Sequence, residues 1–206
     1  MASAQEWKLD GGTARLLPAS DEGIVKPLIL ASKAGAGATD LDALQARLYP
    51  TAYSFGDAVR ANGYDLVLVG FDDGAAPLAD LADTVAEVLR RTTAEQIGDA
   101  PLAAGGIGRG ALAVRYALAR MECQEEDHRA ATYVSFNGTA PSAEEKPELG
   151  ALGSWPRKPK LVKVVSGDFT SELSDGDFDD NTTGAADPGG LLISGVHGSW
   201  LLDRLA

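Results

Sequence analysis

The chain has 206 residues, of which 45% are hydrophobic and 23% are charged, and its formal net charge is −12. This length and composition predict one domain, residues 1–206, with a full hydrophobic core. The negative charge argues against a nucleic-acid backbone as partner, and no window approaches the ~20 apolar residues of a membrane span.

The chain begins with a predicted β-hairpin. Two short segments, residues 7–9 and 13–17, flank Asp10, Gly11 and Gly12, which form a tight turn. After this hairpin, short apolar runs alternate with helical patterns. The further predicted strands are residues 27–31, 65–70, 101–104, 132–136, 161–165 and 190–194. The predicted helices are one that Asp40 caps, then residues 78–91, 111–121 and a last one from Trp200.

The strands are continuous apolar runs, which is typical of strands covered on both faces. Together with the alternation of strands and helices, this predicts a mostly parallel sheet with helices on both faces. Ligands bind such sheets at the carboxyl ends of the strands. Residues 141–160 form the predicted irregular excursion, which would make at most a minimal lid.

A glycine-rich turn joins the strand at 101–104 to the helix at 111–121. The window Gly106-Ile107-Gly108-Arg109-Gly110 fits the nucleophile elbow, G-x-S-x-G, in which a serine sits at the apex of a strained strand-to-helix turn. Here the apex is Gly108, which has no side chain to attack a carbonyl. A serine mechanism cannot run on this chain as written.

Two other interpretations fit the same glycines. Gly106, Gly108 and Ala111 match the dinucleotide fingerprint G-x-G-x-x-G/A. That fingerprint belongs on a first strand–helix unit with an acid closing the next strand, whereas here it lies on the third unit and no acid follows Phe136 directly. The glycines could also be no more than close-packing points between strand and helix.

The elbow and its surroundings resemble those of bacterial esterase/lipase-family α/β-hydrolases. The resemblance lies in residues 105–112 (GGIGRGAL) and 115–118 (RYAL), with neighbouring strands at 63–69 and 133–137. It covers residues 27–140 well and the C-terminal part loosely. It implies an α/β-hydrolase-like fold and a hydrolase of the serine esterase/lipase type, which acts on carboxylic esters, with its nucleophile absent in this chain. The chain departs from the family at Gly108 and lacks a His-Gly signature at the loop that would form the oxyanion hole.

A catalytic triad in this fold follows the order nucleophile, acid, histidine. His197 lies between Gly195 and Gly198 just after the last predicted strand, where the general base is expected, whereas His128 lies in a charged stretch predicted to be exposed. Asp168, after the fifth strand of the alternating series, is the predicted acid that orients the histidine. Other carboxylates that could replace it are Glu172, Asp175, Asp177, Asp179 and Asp180.

The oxyanion hole of such a site would be built from backbone amides. The amide of Arg109, directly after the apex, and those near Ser32 and Lys33 are the predicted donors.

No metal or other cofactor is expected. Asp175, Asp177 and Asp179 have the spacing that opens an EF-hand loop, but Asp180 replaces its required glycine and Ala186 its bidentate glutamate. A zinc site would need more cysteine and histidine than this chain offers.

The first residues and the single cysteine bear on the compartment. The N-terminus has no basic region followed by an apolar run, so no signal peptide is predicted. Cys123 can form no internal disulfide, which fits a reducing compartment. We expect a cytoplasmic location, or secretion if a signal peptide has been removed. The sequence predicts no particular oligomeric state.

Three accounts of Gly108 remain open. The glycine can mark an inactivated serine esterase or lipase. It can belong to a natural protein that binds a small ester or acyl-type ligand without covalent chemistry. It can also leave His197 and Asp168 as an acid–base pair for an elimination or cyclisation, which needs no nucleophile.

Overall fold

In the computed structural model, which describes residues 4–184 and 193–205, strands and helices alternate as predicted. The strands are β1 (Gln5–Leu9), β2 (Gly12–Leu17), β3 (Pro27–Ala31), β4 (Asp65–Phe71), β5 (Leu102–Ile107), β6 (Ala130–Phe136), β7 (Lys160–Val165) and β8 (Asp180–Thr183). The helices are α1 (Leu41–Ala46), α2 (Phe55–Ala61), α3 (Leu78–Glu95), α4 (Arg109–Cys123), α5 (Glu145–Ala151) and α6 (Gly195–Leu202). None of these described helices is long and apolar enough to cross a bilayer.

The strands form one sheet in the order β1-β2-β4-β3-β5-β6-β7-β8. β1 and β2 make the predicted antiparallel hairpin, and β2 also pairs antiparallel with β4. From β4 to β8, all neighbouring strands are parallel. The predicted mostly parallel sheet is therefore confirmed, and the carboxyl ends of β5, β6, β7 and β8 lie side by side at one edge.

Helices cover both faces of the sheet, as predicted. On one face α3 and α4 pack against the strands through residues such as Val85 and Leu112. On the other face α1, α2 and α6 pack through residues that include Leu44, Val59 and Leu201. Because both faces are covered, the central strands are buried along their whole length, which explains their continuous apolar runs.

Two short helices were not predicted. α2 begins after Ser54, whose hydroxyl accepts the amide of Asp57 at 3.1 Å. α5 lies inside the excursion at 141–160 and begins with reciprocal bonds between Ser142 and Glu145, the pattern of a capping box. The spacing of Ser142 and Glu145 is a signal for a helix start that the sequence contains.

The C-terminal part differs most from the prediction. The expected strand at 190–194 falls largely on residues 190–192, which lie outside the described residues. Ser194 does not belong to a strand but caps α6, accepting the amide of His197 at 3.3 Å. The last described strand, β8, arises instead in the segment expected to be an acidic loop, where an ion pair between Lys160 and Asp180 joins β7 to β8.

Candidate functional site

β5 passes into α4 through a one-residue turn at Gly108. Its backbone has φ 55° and ψ −124°, a conformation that residues with a side chain adopt only under strain. The amide of Gly108 donates to the carbonyl of Phe136 at 3.0 Å, and Arg109 already begins α4. The backbone therefore has the sharp strand–turn–helix geometry of a nucleophile elbow.

The glycines of this turn differ in how much space each has for a side chain. A Cβ at Gly106 would lie 2.6 Å from the backbone of α4, and one at Gly110 would overlap the carbonyl oxygen of Ser32. A Cβ at Gly108 would come closest to the flexible side chain of Lys33, at 3.2 Å. Close packing therefore accounts for Gly106 and Gly110 but leaves room for a small side chain at Gly108.

A cavity of ≈ 190 Å³ lies beside Gly108 at the carboxyl edge of the sheet. Ile107, Phe136 and Phe169 form its apolar wall, and Lys33 and Arg47 bring two positive charges to it. We call this space the elbow cavity. It lies where parallel α/β sheets bind their ligands.

Asn137 and Ser166 line the elbow cavity and join the ends of β6 and β7. Asn137 has φ 47°, in the left-handed region that asparagine tolerates better than most residues. Its Oδ1 accepts the backbone amide of Ser166 at 2.8 Å, and its Nδ2 lies 2.8 Å from the Ser166 hydroxyl. Because a backbone amide can only donate, the orientation of the Asn137 side chain is fixed, and the Ser166 hydroxyl must accept from Nδ2.

Asp168 also lines the elbow cavity, so the structure brings Gly108, Lys33 and Asp168 together. Asp168 is exposed, and it has no hydrogen-bond or ion-pair partner among the residues that the structure describes. Its predicted role as the triad acid stays a prediction.

Several of the other carboxylates have structural partners. Asp175 pairs with Lys163, Asp179 accepts a backbone amide of β7 at 2.7 Å, and Asp180 pairs with Lys160. Within residues 4–184 and 193–205, no group of three or more histidine, cysteine, aspartate or glutamate side chains is placed to hold a metal ion.

His197 lies in the first turn of α6 and not on a loop, which corrects the predicted position. Its side chain is buried, and a Cβ on Gly184 would overlap the imidazole, so the ring packs directly against the Gly184 backbone. The amide of Gly184 donates to Val165 at 3.0 Å, which places it beside the end of β7. Three strand spacings, about 14 Å, separate β8 from β5 and Gly108. His197 is not among the residues lining the elbow cavity.

The stability of the chain is expected to depend on the protonation of His197. Burial lowers the pKa of His197 below its usual value of 6.5, and Nε2 has no partner among the described residues. The unfolded chain therefore takes up a proton near pH 6.5, whereas the folded chain resists it. The contribution of His197 should be complete above pH 6.5 and be lost as the pH falls below that value.

Urea unfolding of the wild type and His197→Phe at pH 7.5 and pH 5.5 measures this effect. The wild type should lose more unfolding free energy between the two pH values than the variant, which keeps a ring but cannot titrate. Equal losses in both proteins would contradict the prediction.

Comparison with solved structures finds proteins of the same fold at low sequence identity. A cold-adapted esterase from an Arctic intertidal metagenomic library superposes with a TM-score of 0.63 at 11% identity, over 98% of this chain and 94% of that chain. Est1E from Butyrivibrio proteoclasticus gives 0.61 at 10%, over 99% and 96%. A lipase/esterase from Lactobacillus plantarum gives 0.58 at 9%, over the whole of both chains.

This chain has the α/β-hydrolase fold of bacterial esterases. The identities of 9–11% carry the likeness in fold alone. No protein-family profile and no curated protein sequence matches the chain.

The three residues predicted to form the oxyanion hole differ from one another in their hydrogen bonds and in their position relative to the elbow cavity. The amide of Ser32 donates to the carbonyl of Val69 at 2.9 Å, so it is already used by the sheet. Lys33 lines the elbow cavity. The side chain of Arg109 pairs with Glu145 at 2.7 Å and ties α5 to the start of α4. As the first residue of α4, Arg109 has a backbone amide without a partner inside the helix.

His128 is buried, not exposed as predicted. Its Nδ1 accepts the amide of Ala130 at 3.0 Å, and its Nε2 lies 3.1 Å from a Glu122 carboxylate oxygen. Both ring nitrogens therefore have partners, which lets the imidazole sit inside a charged stretch of sequence. This histidine lies at the start of β6, away from the carboxyl edge.

Asn137, Ser166 and Arg47 line the elbow cavity but are not among the predicted site residues. Asn137 and Ser166 directly follow strands, where ligand-binding residues were expected. Asparagine, with its tolerance of left-handed backbone, was a usable signal there. Arg47 comes from the end of α1, and no local pattern links it to Gly108.

Proposed function

We propose that this chain binds a small acyl-type molecule without covalent chemistry in the elbow cavity and does not hydrolyse esters. The observation that supports this most directly is the separation of the triad positions. Gly108 and Asp168 line one cavity, whereas His197 packs against Gly184, after β8, and is not among the residues that line this cavity. The described residues that line the cavity therefore include no histidine that could act as a general base.

This arrangement does not favour an acid–base lyase or cyclase. Such chemistry needs His197 within hydrogen-bond reach of the ligand and of its carboxylate partner. Among the described residues, Nε2 of His197 is buried without a partner, and Asp168 is exposed without one. Neither group orients or charges the other.

The same separation argues against a hydrolase that lacks only its serine. A serine at position 108 has space for its Cβ after a small shift of the Lys33 side chain. Its hydroxyl would still lack a base, and an unactivated serine is a weak nucleophile.

Gly108→Ser is therefore expected to hydrolyse p-nitrophenyl acetate and butyrate no more than about tenfold faster than the wild type. Both Gly108→Ser and the matched control Gly108→Ala should lose about 1–3 kcal/mol of unfolding free energy, because each places a side chain at φ 55°. Initial rates and urea unfolding measure the two effects.

A gain of several hundredfold in Gly108→Ser that disappears in Gly108→Ser/His197→Ala would contradict the proposal. That result would show that His197 reaches the elbow in solution and that the chain is a latent hydrolase. Binding is tested in parallel by ligand-detected NMR with methyl butyrate, which should bind the wild type and remain intact.

A further inference from the structure

The Ser166 hydroxyl has a proton that no described residue accepts. Ser166 is 7% exposed and lines the elbow cavity. Its oxygen accepts from Asn137 Nδ2, and the orientation of that amide is fixed by the backbone amide of Ser166. A hydroxyl that accepts one hydrogen bond can still donate its own proton. A buried O–H group without an acceptor destabilises the fold. The donor is free to serve a ligand in the cavity.

Two positive charges line the same cavity. Lys33 and Arg47 form no ion pair with any residue in the described ranges, although acidic side chains greatly outnumber basic ones in this chain. The start of α4 at Gly108 adds the partial positive charge of a helix N-terminus. Among the described residues that line the cavity, Asp168 is the one anion, and Lys33 and Arg47 are cations.

We infer that the elbow cavity binds a small monocarboxylate anion. This inference rests on the proposed function and narrows its acyl-type ligand to the free acid. A carboxylate has only acceptors, and so it complements a buried hydroxyl donor, an ammonium and a guanidinium at once. The alkyl or aryl part would lie against Ile107, Phe136 and Phe169.

The size of the cavity limits the ligand. At ≈ 190 Å³ it is smaller than the roughly 300–1,000 Å³ typical of sites for drug-sized molecules. A short acid such as hexanoate suits this space better than a long-chain fatty acid.

Asp168 allows a test of whether the ligand carries a negative charge. Its carboxylate lines the cavity and repels an anionic ligand, while it would attract a cation and hardly affect a neutral ester. Removing this charge should therefore strengthen the binding of an anion such as a carboxylate, weaken that of a cation and hardly change that of a neutral ester.

The experiment measures the binding of hexanoate, hexanamide and methyl hexanoate by titration calorimetry and ligand-detected NMR. Hexanoate should bind wild type at least about tenfold more tightly than hexanamide. Lys33→Met and Arg47→Met should each raise the Kd for hexanoate about fivefold, and Asp168→Asn should lower it about threefold. Lys146→Met, an equal charge change on the exposed side of α5, should change it less than about twofold.

Ser166→Ala should raise the Kd for hexanoate about fivefold and that for hexanamide by less, since a bond to a charged carboxylate is stronger than one to a neutral amide oxygen. Its thermal unfolding is recorded alongside, because Asn137 Nδ2 loses its acceptor. If Ser166→Ala is unfolded, the inference is tested by Lys33→Met, Arg47→Met and Asp168→Asn.

Equal affinity for hexanoate and hexanamide, or weaker hexanoate binding by Asp168→Asn, would overturn the inference while leaving the proposed function intact. Binding of none of the three compounds would overturn both. A several-hundredfold gain in ester hydrolysis by Gly108→Ser would overturn the proposed function by itself, because hexanoate would then be a product.

Discussion

Gly110→Ala is expected to lower the free energy of unfolding by at least about 3 kcal/mol. The new Cβ would overlap the carbonyl oxygen of Ser32, a backbone atom at the end of β3 that cannot turn aside as a side chain can. The Ser32 amide is bonded to Val69, so the segment after β3 cannot move without breaking the ladder. Neither the Ser32 carbonyl nor the segment after β3 can therefore shift to relieve the clash without loss of stability.

Gly150→Ala is the matched control. Gly150 lies in α5 with no atom within 4 Å of a new Cβ, so alanine should leave stability unchanged or raise it by up to about 1 kcal/mol. Thermal unfolding should separate the variants by roughly 6–12 °C or more for a domain of this length. Similar melting temperatures for both would show that the elbow can relax around a side chain.

This difference between the glycines changes what the elbow sequence means. Gly106 and Gly110 are required because β5, α4 and the end of β3 pass close together. A chain can therefore retain the glycines that flank the elbow because the fold needs them, even when the apex residue has no catalytic role. The cavity beside Gly108 points to a ligand because no described residue pairs with its two cations or accepts the proton of its Ser166 hydroxyl.

The elbow turn and the buried central strands could be predicted because each is encoded by a short stretch of sequence. The glycine spacing of 106–110 encodes a tight turn, and the continuous apolar runs of β3, β4 and β5 encode strands buried on both faces. Asp40 was a readable cap, and the structure shows its carboxylate accepting the amide of Ala43 at 2.9 Å.

The surroundings of the histidines could not be predicted in the same way. His128 is buried because Glu122 and Ala130 fold back onto it, and its charged neighbours in sequence hide that fact. His197 is placed by the packing of α6 on α2 and by the missing side chain of Gly184. The contacts of His197 join distant segments, so no pattern within a single window contains them.

Asp65→Ala is expected to lower the free energy of unfolding by about 3–4 kcal/mol. The carboxylate of Asp65 is 1% exposed and accepts the backbone amides of Ala19, Val25 and Lys26 at 2.8, 2.7 and 3.0 Å. Alanine would leave all three donors without an acceptor in a largely buried place, and each such donor costs about 1–3 kcal/mol before relaxation. The segment between β2 and β3 would lose its attachment to the start of β4.

Asp40→Ala removes the same side chain where it makes one exposed bond at the cap of α1, and should cost only about 1 kcal/mol. Urea unfolding compares the two variants, and equal losses would show that the Asp65 bonds contribute no more than a surface cap.

Asp65 stands at the first residue of β4, about 20 Å from the carboxyl edge of the sheet. Below its unfolding temperature, Asp65→Ala should therefore bind hexanoate with wild-type affinity. Weakened binding in the folded variant would show that stability and the elbow cavity are coupled along the strands. Unchanged binding would show that one end of the sheet stabilises the domain while the other end carries the ligand site.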